Sequence, residues 1–107
     1  MDLEVHDNPE GKTICINGML TLDNCYLLSN MGISLASEGY VDVIVDFSAA
    51  NFIDSAGIGT LVSISKLMKR NGGTLKLVHL NENFRRVLMM SRLDKYLELD
   101  DAPESQP

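Results

Sequence analysis

An aspartate and a serine stand side by side before two glycines in residues 51–59, NFIDSAGIG, between an apolar run and a helical pattern. If Asp54 caps the helix, its carboxylate accepts a backbone N–H of the first turn, and the hydroxyl of Ser55 faces outward at the first helical position. The hydroxyl then lies beside the positive end of the helix dipole. Gly57 and Gly59 each lower the stability of a helix by about 1 kcal/mol relative to alanine, so we expect a structural or functional reason for their presence.

Two interpretations of the glycines are open. With Ala56, they leave a bare backbone surface around Ser55, onto which an active site or a flat face of another protein could close. Alternatively, Ser55 is an ordinary capping residue and the glycines allow the helix to pack closely on a sheet. The local chemistry does not decide between the two.

The same stretch lacks the partners that enzymatic motifs require. Ile53 replaces the first glycine of the G-x-S-x-G nucleophile elbow, and His6 and His79 are the only histidines of a chain too short for an α/β-hydrolase. The segment SAGIGT has no lysine of the phosphate-binding G-x-x-x-x-G-K-[ST] loop. We therefore predict no enzymatic activity, no cofactor and no metal site, and an enzyme with Ser55 as its nucleophile is the outside alternative.

Composition and charge define the class of protein and of partner. The chain has 107 residues, 45% of them hydrophobic, which suits one small domain with its own core. Its formal net charge of −6 argues against nucleic acid or an anionic membrane as a partner. Cys15 and Cys25 are expected to be reduced, because their number and spacing fit neither a zinc site nor a secreted disulfide framework. Without a leader pattern or a span of ~20 apolar residues, we expect a cytoplasmic protein.

The order of strand and helix patterns predicts an α/β fold. Alternating apolar residues around the turn at 8–11 predict an N-terminal antiparallel hairpin, and the apolar run 41–47 predicts a central strand covered on both faces. The remaining patterns predict helices over 22–38, 55–71 and 82–91 and strands over 74–80 and 96–99. We expect one domain at 1–101, with a mixed, mainly parallel sheet of four to five strands and three to four helices, and a disordered tail at 102–107.

Polar residues elsewhere have ordinary explanations. His79, at a strand end, is interpreted as a satisfied polar residue. The third helix carries a small basic face that we interpret as solvated, formed by Arg85, Arg86 and Arg92. Leu67 falls on the outer side of the second helix with Thr60, Ser63 and Lys66. One exposed leucine is ordinary, and a leucine that contacts a partner is the alternative.

Residues 45–99, VDFSAANFIDSAGIGTLVSISKLMKRNGGTLKLVHLNENFRRVLMMSRLDKYLEL, resemble the STAS domain, specifically the stand-alone anti-sigma-factor antagonists of bacteria. A strand, a loop ending in Asp-Ser-x-Gly-[Leu/Ile]-Gly, a helix, Gly-Gly, a strand and a helix follow in the family's order. The chain also departs from the family. Residues 18–21, GMLT, stand where Gly-Glu-Leu-Asp is common, with Asp23 two positions further on. Ala56 stands where a second serine is common, and Arg92 where a glycine is frequent.

The resemblance implies a STAS fold and a phosphorylation switch in partner choice. In the family, a GHKL-type serine kinase that is also the anti-sigma factor phosphorylates the serine corresponding to Ser55, and a PP2C-like phosphatase reverses the modification. The unphosphorylated antagonist binds the kinase and thereby releases the sigma factor. The residues expected to contact the partner are Thr21, Asp23, Asp54, Ser55, Ala56, Gly57, Ile58, Gly59, Thr60, Ser63 and Leu67.

We therefore expect a non-enzymatic anti-sigma-factor antagonist, switched by phosphorylation of Ser55, that is a monomer or a weak dimer. The alternative is a phosphorylation-independent STAS docking subunit of a signalling or transport complex. STAS domains serve both purposes, and substitution of Ser55 by alanine or aspartate separates them.

Overall fold

The architecture is a five-stranded sheet with helices that cover one of its faces. The structure is a computed structural model and describes residues 1–99, so the tail predicted at 102–107 lies outside the described residues. The strands and helices, in chain order, are β1 (Asp2–Asn8), β2 (Gly11–Leu20), α1 (Cys25–Ser37), β3 (Asp42–Ile53), α2 (Ser55–Arg70), β4 (Thr74–Val78), α3 (Glu82–Met90), a 3-10 turn (Leu93–Lys95) and β5 (Glu98–Leu99).

The strands lie side by side in the order β1-β2-β3-β4-β5, and only β1 is antiparallel to its neighbour. Asn8 shapes the turn of the hairpin, because its side-chain oxygen accepts hydrogen bonds from the backbone N–H of Glu10 at 2.8 Å and of Gly11 at 2.9 Å. The prediction of a mixed, mainly parallel sheet with an N-terminal hairpin is confirmed.

The central strand β3 is fully buried on one face only, so the prediction of burial on both faces is wrong. Val43, Val45 and Phe47 are buried in the core, whereas Ile44 and Asp46 on the opposite face are half-buried. The buried face packs with α1 and α2, whose core residues are Leu28, Leu35, Leu61, Ile64 and Met68. An apolar residue at a half-buried position, Ile44, made the run of sequence look continuously apolar.

Two irregularities extend β3 beyond the predicted strand. The parallel pairing of β2 with β3 shifts register between Cys15 and Asn17 and again between Gly18 and Met19, and each shift leaves one additional residue in β3. Because a bulge of this kind breaks the two-residue alternation, sequence periodicity placed the end of the strand at Phe47. The register after the second shift pairs Leu20 with Ile53.

The last part of the chain, from α3 to β5, completes the core beside β3 and β4. From α3, Leu88 is buried and the ring of Phe84 lies edge-on to that of Phe47, with centroids 6.1 Å apart. The short strand β5 pairs with β4, and Leu97 before it is buried. Ser65 is the buried polar residue of the described core, and its hydroxyl donates to the carbonyl of Tyr96, which ties α2 to this segment.

Candidate functional site

The N-terminus of α2 lies where β2 and β3 end at the same edge of the sheet. Asp54 is the capping residue, with extended backbone (φ −104°, ψ −177°), and one carboxylate oxygen accepts from the backbone N–H of Gly57 at 3.0 Å. The other oxygen accepts from the backbone N–H of Leu22, also at 3.0 Å. The predicted cap is confirmed, and the same carboxylate also holds the loop between β2 and α1 against the start of α2.

Asp54 carries a stable negative charge. The hydrogen bonds from the backbone N–H groups of Gly57 and Leu22 favour its ionised form and lower the pKa of the carboxyl below its ordinary value. A carboxylate at this position also interacts favourably with the positive end of the helix dipole. At neutral pH, Asp54 is therefore a fixed anion adjacent to the next residue of the chain.

Ser55 is the first residue of α2, and it is exposed. Among the described residues, its hydroxyl makes no hydrogen bond. The hydroxyl is not needed as a cap, because the carboxylate of Asp54 already accepts from the backbone N–H that a capping serine would bind. The hydroxyl is thus open to a protein that approaches this end of the sheet, as the capping argument predicts.

The two glycines of the first turn differ, which decides between the interpretations of the sequence. Gly57 is buried, and a Cβ atom there would lie 2.8 Å from Cγ of Leu20 and 2.9 Å from Cγ1 of Ile53. Gly59 is exposed, and a Cβ atom there would have no neighbour within 4 Å. Of the two interpretations left open by the sequence, close packing of α2 on the strand ends applies to Gly57, and a bare surface applies to Gly59.

Three large apolar side chains are exposed near Ser55. Met19 and Phe52 pair in register at the ends of β2 and β3 and are 51% and 48% exposed. Leu22, held next to α2 by Asp54, is 73% exposed. We refer to Met19, Leu22, Phe52, Asp54 and Ser55 together as the Ser55 surface. Its apolar part was missed in the sequence, where the available signal was a large apolar residue directly before Leu20 and another directly before Ile53.

The remaining residues predicted on α2 occupy two different surroundings. Ala56, Ile58 and Thr60 are half-buried in the first turns, and the hydroxyl of Thr60 donates to the carbonyl of Ala56 at 3.0 Å. Ser63 is exposed and Leu67 is half-buried, and both line a groove between α1 and α2. Leu67 therefore does not lie on the outer side of the helix as predicted, since α1 covers part of it.

The two residues predicted in the loop after β2 also differ. Thr21 is half-buried, and its backbone N–H donates to the side-chain oxygen of Asn24 at 2.9 Å. Asp23 is exposed. The side-chain amide of Asn24 donates in turn to the carbonyl of Met19 at 2.9 Å, so Asn24 fixes the conformation of this loop. The structure brings the loop and the start of α2 together through Leu22, which the sequence did not single out.

Neither a metal site nor a membrane-spanning helix is found in residues 1–99. No group of three or more His, Cys, Asp or Glu side chains in that range could hold a metal ion. No helix there is both long and apolar enough to cross a bilayer. Both cysteines are free thiols, as predicted.

Comparison with known proteins places the chain in a family. The STAS domain profile matches residues 1–105. The chain belongs to the STAS domain family. The anti-sigma-B factor antagonist of Bacillus subtilis (strain 168) is 25% identical to it over 97% of this chain and 94% of the relative. A Thermotoga maritima protein provisionally named an anti-sigma factor antagonist is 30% identical over 80% of this chain and 77% of the relative.

The solved structures agree with the sequence relatives. The crystal structure of TM1081 from Thermotoga maritima superposes on this STAS domain with a TM-score of 0.80 at 25% identity, covering 96% of this chain and 90% of the other. The expected STAS fold is therefore confirmed. The two sequence relatives of this STAS domain are thus both named as anti-sigma factor antagonists.

Proposed function

We propose that this STAS domain is an anti-sigma-factor antagonist whose binding to an anti-sigma factor is switched by phosphorylation of Ser55. The observation that carries the proposal is the exposed Ser55 hydroxyl, which Asp54 relieves of any capping role. The names of the relatives supply the class of partner. The partner is a GHKL-type serine kinase that is itself the anti-sigma factor, a PP2C-like phosphatase reverses the modification, and the proteins act in the cytoplasm.

The switch acts by changing the charge of the Ser55 surface. A phosphate on Ser55 adds about −1.5 to −2 charge at neutral pH. It joins the anion of Asp54, whose pKa is already lowered, on a chain of net charge −6. A partner whose surface is complementary to Met19, Leu22 and Phe52 would then either bury this dianion or be repelled by it. Either effect can weaken the free energy of binding by several kcal/mol. Binding is lost for this reason alone.

The fold tolerates the modification because Ser55 contributes little to it. The hydroxyl is exposed and makes no hydrogen bond within the described part of the chain. The N-terminus of a helix also accommodates negative charge well. Kinase and phosphatase can both reach the side chain without local unfolding, so one folded domain alternates between two surfaces.

The surroundings of Ser55 favour binding over catalysis. A serine nucleophile needs an adjacent general base, usually a histidine. His6 contacts the carboxylate of Glu4 at 3.2 Å, and His79 contacts that of Asp46 at 2.9 Å. His6 lies in β1 and His79 directly follows β4, so neither belongs to the start of α2, and we therefore assign Ser55 the role of an acceptor of phosphate.

The test combines phosphorylation with binding. The purified chain is incubated with ATP and the GHKL-type kinase of its own organism, and mass spectrometry of peptides should find one phosphate, on Ser55. Ser55→Ala should abolish the modification and keep kinase binding, whereas Ser55→Asp should weaken binding at least tenfold. Ser34→Ala changes an exposed serine of α1 that is not among the expected partner contacts, and it should behave like the wild type.

Three outcomes would count against the switch. Equal binding of the kinase by the alanine and aspartate variants would leave a phosphorylation-independent docking subunit as the function. Phosphate found on Ser63 instead of Ser55 would refute the assignment of the site. Labelling of Ser55 by a serine-reactive phosphonate would revive an enzymatic role.

A further inference from the structure

Positive charge on this acidic chain lies mainly in two segments, residues 66–76 and residues 85–95, and the second of these also carries exposed apolar side chains. Residues 85–95 contain four of the nine Lys and Arg residues and one of the fifteen Asp and Glu residues, although the chain as a whole has a net charge of −6. The segment comprises most of α3 and the 3-10 turn that follows. A local surface of opposite sign to the whole protein attracts a different class of partner.

The outward face of α3 combines this charge with exposed apolar surface. Phe84 and Leu88 point toward the core, so the spacing of 3.6 residues per turn places Arg86, Met89 and Met90 on the opposite side. Met89 is 52% exposed and Met90 is 76% exposed. The guanidinium of Arg86 donates to the side-chain oxygen of Asn83 at 3.3 Å and otherwise faces solvent. A long apolar side chain thus lies on either side of an exposed cation.

An apolar cavity opens beside this face. Its volume is about 310 Å³, near the lower end of the range for sites that enclose a small molecule or a large side chain. Its wall is mainly aliphatic and aromatic, with asparagines at the rim, and includes Phe52, Ile58, Leu80, Asn81, Phe84 and Val87. Val87, 47% exposed, belongs both to this wall and to α3, so the cavity and the outward face of α3 are continuous.

We propose that α3 and this cavity form a second protein-binding surface, which takes a short acidic segment of a partner with one bulky apolar side chain. The apolar side chain enters the cavity beside Val87, and carboxylates next to it bind Arg86 and Arg92, while the methionines cover the peptide backbone. Methionine suits such a surface because its flexible thioether adapts to different side chains. The cavity shares Phe52 with the Ser55 surface, so the two surfaces adjoin, but binding of the segment does not require phosphorylation of Ser55.

Charge and shape favour a peptide segment over an anionic membrane. A flat bilayer would meet the net charge of −6 on the rest of the molecule, whereas a short segment meets only the basic face. A cavity with asparagines at its rim also selects one side chain of defined size, which a bilayer does not supply. The chain's own residues 100–107, DDAPESQP, supply acids but no apolar side chain larger than proline, so they do not fit the cavity.

The experiment uses the full-length protein and a synthetic probe. The probe is a fluorescein-labelled ten-residue peptide of glutamates with Leu and Phe at its centre, and fluorescence anisotropy measures its binding in low salt. We expect saturable binding that weakens at least fivefold when Leu and Phe are replaced by alanine or when the glutamates are replaced by lysine. Arg86→Glu in the protein should weaken binding about tenfold or more, because it reverses the central cation of the face.

A matched control and four contrary outcomes make the test decisive. Lys69→Glu makes the same charge change at an exposed position of α2 and should alter binding less than twofold. Absence of saturable binding, or equal losses with Arg86→Glu and Lys69→Glu, overturns the proposal. Binding to phosphatidylglycerol vesicles without binding to the peptide identifies a lipid surface instead. A gain of tenfold or more on neutralising Asp100, Asp101 and Glu104 identifies the chain's own tail as the occupant.

Discussion

Alanine substitutions of the two glycines in the first turn of α2 should change the stability of the protein in opposite directions, because Gly57 and Gly59 lie on opposite sides of the helix. Replacing either glycine by alanine removes the same intrinsic cost of glycine in a helix, about 1 kcal/mol. At Gly59 nothing opposes this gain, since an added Cβ atom meets no atom within 4 Å. Gly59→Ala should therefore stabilise the protein by about 1 kcal/mol.

At Gly57 the packing cost exceeds the gain. An added Cβ atom would lie 2.8 and 3.0 Å from Cγ and Cδ2 of Leu20 and 2.9 Å from Cγ1 of Ile53. These branched side chains belong to two paired strands, and Leu20 is fully buried, so relief requires a shift of the helix or the strand ends. Such overpacking typically costs about 1–3 kcal/mol. After the gain in helix propensity, Gly57→Ala should destabilise the protein by about 1 kcal/mol.

Urea unfolding of the wild type and both variants measures the difference. The two free energies of unfolding should differ by about 2 kcal/mol, and a slope of about 1–3 kcal/mol per molar urea converts this into midpoints about 1 M apart. The wild type should lie between the variants. If Gly57→Ala is as stabilising as Gly59→Ala, then Gly57 is not required for close packing, and a bare surface around Ser55 again becomes its explanation.

Two further substitutions test contacts that support the site and the core. Asp54→Asn should lower stability at neutral pH, because an amide offers one acceptor oxygen in place of two. Since folding lowers the pKa of Asp54, its contribution is complete above the unfolded value of about 4 and is lost as the pH falls through the folded value. Acid titration of unfolding should show the two proteins converging at low pH, and parallel curves would contradict this. Ser65→Ala leaves the carbonyl of Tyr96 without its buried donor and should cost about 1–2 kcal/mol, whereas Ser63→Ala at an exposed position should stay within about 0.5 kcal/mol in the same urea assay.

The elements governed by local chemistry were predictable from the sequence. The turn at Asn8 and the cap at Asp54 follow from side chains that bond to the backbone two or three residues away. The helical spacing of apolar residues located α2 and α3, because this spacing also relates residues only three or four positions apart. The family pattern was also informative at a position where this chain departs from it. Arg92, in the position of a frequent glycine, has φ of +59°, a conformation that glycine adopts without strain.

Features that depend on distant contacts were not predictable. The packing role of Gly57 arises from Leu20, which lies 37 positions away in sequence and comes close only through the pairing of β2 with β3. The link from Asp54 to Leu22 has the same origin. The cavity beside α3 forms between elements whose separate sequence patterns are ordinary. Sequence periodicity describes one element at a time, and these features belong to several.

The two register shifts of β3 give the second half of this strand spare length. The core-facing positions along it run 43, 45, 47, 50 and 53, so each step of three residues holds one residue more than the matching step of β2. Deletion of one residue between Phe47 and Ile53 can therefore remove one shift and leave Ile53 opposite Leu20, because the extra residue of a bulge lies outside the pairing. Deletion of two residues can remove both shifts. A third deletion would find no spare residue and would exchange the inner and outer sides of the strand end before Asp54.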